Sequence, residues 1–253
     1  MRLQRTSSPT TLPMASSAPF DGETAVWPRV RGQLEELQRK LALRWRSEPA
    51  WRPPPDRPPR VGAAFTTTFR GLVGTGAAGD LAWVAAVLCL EGRLVKSAVL
   101  TGRFDGPYIP GLLALREGRL LQEAVLALGI PLDVLMVNAT GRDHPRGAGL
   151  AIHLGAACDV PTIGVTDRPL VATGPEAGTR RGAAAELRLG GELVGYRVRT
   201  RVGVRTTVVH AGWRVDPDTA LGLVLDVTSG SRTPEPLRQA RRLARASRSD
   251  DRF

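Results

Sequence analysis

Lysine is nearly missing from this chain of 253 residues, where Lys40 and Lys96 stand against 33 arginines. Aromatic residues make up only 5%, and cysteine occurs twice. Each scarcity excludes something. Two cysteines cannot staple a small secreted scaffold, and Cys89 and Cys158 sit in apolar runs without metal-ligand spacing. Both read as free, buried thiols of a protein in a reducing cytoplasm. With so few aromatics, Trp27, Trp45, Trp51 and Trp83 read as packing residues rather than as a series of base-stacking platforms. No apolar run approaches the ~18 residues of a membrane span. The opening MRLQRTSSPT has no apolar block behind its charges, so neither a secretory signal nor a membrane partner is expected.

What is present is the composition of a globular protein, 42% hydrophobic and 23% charged. That excludes a disordered chain and a collagen-like fibre, and leaves enough apolar residues for a real core. The net charge of +11 suggests a polyanionic partner. The excess lies at the ends, however. Residues 1–60 carry 11 basic and 6 acidic groups and residues 238–253 carry 6 and 2, whereas the middle is near neutrality with 18 and 16. Arginine's planar fork suits phosphate, but an arginine-rich, alanine-rich chain also reflects a GC-rich genome.

Residues 1–22, rich in Ser, Thr and Pro without periodicity, are expected to be a disordered N-terminal tail. Residues 23–60 divide into a helix over Thr24–Ser47, with Val30, Leu34, Leu37, Leu41 and Leu43 near one side, and the Pro-rich linker WRPPPDRPPR. Residues 61–238 form the main domain. Three β-like runs come first (Val61–Phe69, Ala82–Leu90, Arg93–Thr101), the last two joined by Glu91-Gly92. Alternation follows: helix Ile109–Leu128, strand Asp133–Val137, helix Pro145–Cys158 and strand Pro161–Val165. Strands are then expected at Ala185–Leu189, Leu193–Arg199 and Gly203–His210, then a helix over Asp216–Val227 with Asp216 as N-cap. Residues 239–253 end the chain as the basic close of a helix begun at Pro234, plus a tail. The pattern predicts an α/β fold, a mixed sheet with helices on its faces, compatible with a ribonuclease-H-like architecture.

Several motifs stand in order: GPYIPGLLALRE from Gly106, DVLMVNATGRDHPRGAGLAIHLG from Asp133, DVPTIGV from Asp159, and Pro234-Glu235-Pro236-x-Arg238. In these the chain resembles the endonuclease V family, nucleases that cut a strand near a deaminated adenine, from about Val61 to Arg238. The resemblance implies a ribonuclease-H-like fold, DNA or RNA carrying inosine as partner, a monomer, and Mg²⁺ or Mn²⁺ held by converging carboxylates that activate water. The family's Arg-Glu pair is intact as Arg116-Glu117. Its first-strand acid falls on Ala64, its loop aspartate on Asn138, its late histidine on Trp213 and a lysine on Asp167. Glu117 is the retained catalytic and metal residue, with Asn138 or Asp143 as weak candidates to assist it. A hard, strongly hydrated ion needs anionic oxygens, so the resemblance predicts a degenerate metal site that holds its ion weakly or not at all. Among acids that might substitute, Asp143 reads more simply as a solvated loop residue and Asp167 as a reversed local contact. Asp80 and Asp105 fall in loops, and His210 reads as a strand-end residue.

The recognition half looks better kept. Tyr108-Ile109-Pro110 matches the family's wedge, which enters the base stack. Gly111, Leu113, Gly141 and His144 match base-pocket positions, and Ala139 replaces a pocket glycine with an added methyl. Arg146 and the tail arginines Arg238, Arg241, Arg242, Arg245 and Arg248 are candidates for phosphate contact, the latter equally a solvated helix end.

Overall fold

The computed structural model describes residues 26–250, so the expected tail over residues 1–22 lies outside the described residues. Eight strands form one sheet: β1 (Val61–Thr68), β2 (Leu81–Leu90), β3 (Arg93–Arg103), β4 (Val134–Val137), β5 (Thr162–Thr166), β6 (Ala184–Leu189), β7 (Glu192–Val198) and β8 (Thr207–Ala211). Their order is β3-β2-β1-β4-β5-β8-β7-β6. Each flank is antiparallel, and the centre, β1-β4-β5, is parallel. The β2–β3 hairpin turns at Glu91-Gly92, both at positive φ (48° and 75°), the twist that a two-residue hairpin demands.

Helices cover both faces. α2 (Leu113–Leu126) and α3 (Leu150–Cys158) bury Ala64, Val84, Leu120, Leu135 and Leu154 on one side. α4 (Pro217–Asp226) and α5 (Glu235–Asp250) bury Val61, Val87, Met136, Leu223 and Leu237 on the other. This double cover explains why β2 is an unbroken apolar run rather than an alternating one. Asp216 caps α4 as its spacing predicts, accepting from the Thr219 N–H at 2.9 Å.

Helix α1 (Arg31–Trp45) lies on α3 through Leu34, Leu37 and Leu41. Val30 and Leu43, expected on the same side, are exposed, because only the 34-37-41 spacing keeps to one face of a 3.6-residue period. Helix α2 starts at Leu113 rather than Ile109, since Gly111 adopts φ +75°. α3 starts at Leu150 rather than Pro145, with Gly147 at φ +73° before it. α5 runs unbroken past position 238 and buries Leu237, Ala240 and Ala244 against β1 and β2. The C-terminal helix thus packs on the sheet alongside α4, and α1 packs on α3. Trp27, stacked on His153 at 4.2 Å, and Trp83, buried in β2, are packing residues as expected.

Candidate functional site

The parallel strands β1, β4 and β5 end on the same side of the sheet, and the chain leaving them walls a cleft of about 530 Å³. β1 supplies Thr66, the end of β4 supplies Asn138, Ala139 and Thr140, and the end of β5 supplies Thr166 and Asp167. Leu113 and Glu117 come from α2, Gln38 from α1, and Tyr108, Ile109 and Gly111 from the loop ahead of α2.

Glu117 points into this cleft and accepts a hydrogen bond from Thr66 Oγ1 at 2.7 Å. Burial pushes its carboxyl above the ordinary value, against the Thr66 bond and the Arg116 charge, which pull it down. The adjacent Arg116 has a different task. It is buried, stacks on Phe104 at 3.7 Å and donates to the Gly106 carbonyl at 2.7 Å. One half of the Arg-Glu pair thus braces the loop that carries Tyr108, and the other faces the cleft.

Of the remaining expected metal positions, Asn138 lines the cleft with Glu117, whereas Ala64 and Trp213 do not. Ala64 shares a face of β1 with Thr66 by the two-residue pleat, but it is sealed in the core and pairs with Val137. Asn138 is exposed in the cleft and brings an amide. Trp213 does not reach the cleft. β8 runs antiparallel to β5 with Thr166 opposite Val208 and Ile163 opposite Ala211, so the chain after β8 lies at the far end of β5. There Trp213 is buried among Leu37, Leu41, Ile152 and Ala156, its backbone N–H donating to Thr162 Oγ1 at 2.8 Å. Among the described residues no group of three or more His, Cys, Asp and Glu is arranged to hold a metal ion.

Asp143 is neither a solvated loop residue nor free to bind a cation. It is fully buried and accepts the backbone N–H groups of Leu170 (2.7 Å), Val171 (2.8 Å) and Ala172 (2.6 Å). His210 is not an open strand end. It is fully buried, with Nε2 2.7 Å from Thr166 Oγ1 and Nδ1 3.6 Å from Asp143 Oδ2. Asp167 pairs with Arg232 at 2.7 Å, Asp105 with Arg119 at 3.0 Å, and Asp80 accepts the Ala77 N–H.

Most of the residues expected to recognise a ligand lie at the cleft, with two exceptions. Tyr108 and Ile109 stand exposed at the mouth, Pro110 is exposed beside them, and Leu113 lines the wall. His144 also lines the cleft. Its Nδ1 accepts from the Arg146 N–H (3.2 Å), so Nε2 carries the proton donated to the Gly111 carbonyl (2.9 Å). Burial lowers its pKa to about 4, so the ring is neutral. Ala139 lines the cleft with a buried methyl. Gly141 is the first exception, since a Cβ there would strike the Ala211 carbonyl. Its glycine serves the packing of the β4 loop on β8. Arg146 is the second, because its guanidinium is committed to Gln38 Oε1 (2.6 Å) and the Gly111 carbonyl (2.8 Å). It ties α1 to the cleft rim.

The tail arginines divide by face. Arg241 lies over Phe65 at 5.0 Å and Arg248 bonds Thr67 and Thr68, whereas Arg238 and Arg242 are exposed and pair within the helix with Glu235 and Gln239. Arg245 is exposed.

Sequence reasoning missed Thr66, Gln38 and Thr166. Gln38 had a signal: it is the polar residue beside Leu34, Leu37 and Leu41 and is almost wholly buried. Thr66 had another, standing two residues beyond Ala64 on the same strand face.

A mixed sheet in this order, with a helix carboxylate set over the ends of its parallel strands, defines a ribonuclease-H-like protein. Comparison with known proteins narrows the class. Residues 73–242 match the family model described as Endonuclease V. Endonuclease V of Methanopyrus kandleri is 40% identical over 215 residues, covering 85% of this chain and 87% of its own. The crystal structure of Endonuclease V from Streptomyces avermitilis superposes with a TM-score of 0.76 at 33% identity, covering 88% and 95%. Endonuclease V of Ciona intestinalis, solved with a 24mer DNA containing an inosine, shares the fold (TM-score 0.70) at 21% identity, covering 87% and 98%. The chain belongs to the endonuclease V family.

Proposed function

We propose that this protein binds inosine-containing DNA or RNA in the cleft and that its metal-dependent cleavage of the phosphodiester is impaired or lost. The observation that carries the reading is the donor set around Glu117: one carboxylate, raised by burial, beside the Asn138 amide, the Thr66 hydroxyl and the sealed methyl of Ala64. A hard divalent ion is held by several anionic oxygens in fixed geometry, and this set does not fit it. Glu117 already has a hydrogen-bond donor, and Asp167 faces a guanidinium. No hydrolytic step is therefore routed through a metal here.

Recognition rests on the other wall. Tyr108 and Ile109 are large, exposed and apolar where a strand would meet the cleft, and an aromatic there can stack on a base or wedge between two. The relatives' name and the inosine-containing DNA bound by the Ciona protein point the same way. The test is an end-labelled single strand carrying one inosine, incubated with Mg²⁺ or Mn²⁺ and the wild-type or Glu117→Ala protein. Binding without cleavage that depends on metal or on Glu117 is the expected result. Cleavage near the inosine that Glu117→Ala removes would falsify the loss.

A further inference from the structure

We propose that Thr166, His210 and Asp143 form a second, metal-independent chemical centre in the same cleft, with Thr166 Oγ1 as a nucleophile toward phosphorus. Only the identity of the electrophile, the phosphodiester of a bound strand, rests on the nucleic-acid reading above.

The three residues come from different segments, the β4 loop, the end of β5 and the middle of β8, and converge at one point. Thr166 lines the cleft, while His210 and Asp143 lie fully buried behind it. Thr166 has one hydrogen and two acceptors within reach, His210 Nε2 at 2.7 Å and the Arg168 carbonyl at 2.8 Å. The choice sets the imidazole tautomer. If Thr166 donated to Arg168, Nε2 would carry the proton and the bare Nδ1 lone pair would face the Asp143 carboxylate, which is repulsive. With the proton on Nδ1 the ring N–H points toward that carboxylate at 3.6 Å, and Nε2 is left to accept from Thr166. Among the described residues Nδ1 has no hydrogen-bond partner to compete for it. Three backbone N–H groups fix Asp143 in place. The order hydroxyl, imidazole, oriented carboxylate is that of an activated nucleophile, in which the carboxylate sets the tautomer and steadies the imidazolium. A long third contact is common before substrate is bound.

The step balances without a metal. Thr166 Oγ1 bonds to phosphorus as its proton passes to His210 Nε2. The P–O bond to the leaving nucleoside breaks, and that oxygen takes the proton from Nε2. Water, deprotonated by His210, then displaces Thr166, which regains its hydrogen. Positive charge for the phosphoryl oxygens stands two residues on, at the exposed Arg168 that lines the cleft with Thr166, while Arg232 is paired with Asp167. In this scheme Thr166 and His210 are catalytic, and Asp143 is a positioning residue.

The test treats the full-length protein, in EDTA, with a fluorophosphonate probe, whose P–F bond breaks as Oγ–P forms. Peptide mass spectrometry then locates the adduct. The expected result is an adduct on Thr166 that persists in Thr166→Ser, disappears in Thr166→Val and forms at least ten-fold more slowly in His210→Gln. Because His210 is buried, the Ser and Val variants at the cleft wall decide the question if His210→Gln does not fold. In Asp143→Asn the pH midpoint of labelling should fall, because the lost carboxylate no longer favours the imidazolium, an effect that loosened packing alone would not produce. No adduct at Thr166, or the same rate in His210→Gln as in wild type, overturns the proposal. Fluorescence anisotropy with the inosine strand separates the two readings. Binding without labelling overturns this centre alone, and labelling without binding supports the nucleophile while removing the strand as its substrate.

Discussion

On the rim of the cleft, three side chains from two segments converge on one backbone atom. Gln38, His144 and Arg146 all donate to the Gly111 carbonyl, and Arg116 holds the neighbouring Gly106 carbonyl from behind. On the floor, Glu117 has a single side-chain partner, Thr66, and the positions beside it hold a methyl and an amide. The rim is over-determined and the floor is sparse. Close carboxylates repel one another unless a cation lies between them, and a floor with one carboxylate carries no such repulsion. The rim presents Tyr108 from a braced loop, whereas the floor offers little charge for an ion to balance.

The hardest blow to this contrast falls behind the floor. Asp143→Ala removes the acceptor of three backbone N–H groups and the carboxylate facing His210. Orphaned buried donors cost about 1–3 kcal/mol each, and water can reach the two outer ones, so a loss of about 3 kcal/mol is expected in urea unfolding. An unchanged midpoint would show that the segment 169–172 is held by something else. Next comes Gly141→Ala, whose Cβ meets the Ala211 carbonyl. Forcing the β4 loop off β8 should cost about 1–3 kcal/mol. A well-tolerated alanine would return Gly141 to a role in ligand contact.

How far the sequence revealed these regions differs with the physics of each. The sheet's centre was legible because β2, β4 and β5 are short apolar runs bounded by turn residues, and their burial follows directly. The order of strands was legible only as compatibility, since antiparallel and parallel neighbours leave the same hydrophobic pattern. Glu117, Ala64 and Asn138 were each assigned from their places in the motifs, and two of them, Glu117 and Asn138, line one cleft. Trp213 was misplaced because a motif gives position along the chain, and only the antiparallel register of β8 against β5 shows which end of the sheet that position reaches. Asp143 and Arg146 were misread for a related reason. A charged residue in a glycine-rich loop looks solvated until its partners are known, and those partners lie 27 to 29 residues away for Asp143 and 108 for Arg146. The Arg116-Glu117 pair shows the limit from the other side: adjacent helix residues point apart, so one motif held two tasks.

Tyr108→Ala sharpens the rim. Tyr108 is 47% exposed and stands outside the buried core, so stability should stay within about 0.5 kcal/mol of wild type. Loss of a stacking surface typically costs about 1–3 kcal/mol per base. Anisotropy with an inosine strand should therefore show roughly ten-fold weaker binding at an unchanged melting temperature. Unaltered binding would move recognition away from the rim and undo the comparison.

The smallest effect tests the floor itself. Burial holds the Glu117 carboxyl above its unfolded value of 4.5, so the native state binds that proton more tightly than the unfolded chain does. The stabilising contribution of the protonated form is complete below that value and is lost as pH rises through the folded one. Above its unfolded value this group therefore lowers the stability of the folded state. Glu117→Gln keeps an acceptor for Thr66 and removes the charge, so it should raise stability at pH 7. The gain should shrink as the pH falls through the folded value toward 4.5 and be absent below it. Thermal melts of both proteins from pH 4 to 8, with and without Mn²⁺, measure this directly. If Mn²⁺ raises the melting temperature of the wild type but not of Glu117→Gln, the floor is a working metal site after all, because an ion that binds only the folded state stabilises it in proportion to its affinity. If the ion changes neither protein while the glutamine variant gains at neutral pH, Glu117 is a carboxylate whose counter-ion this chain no longer holds.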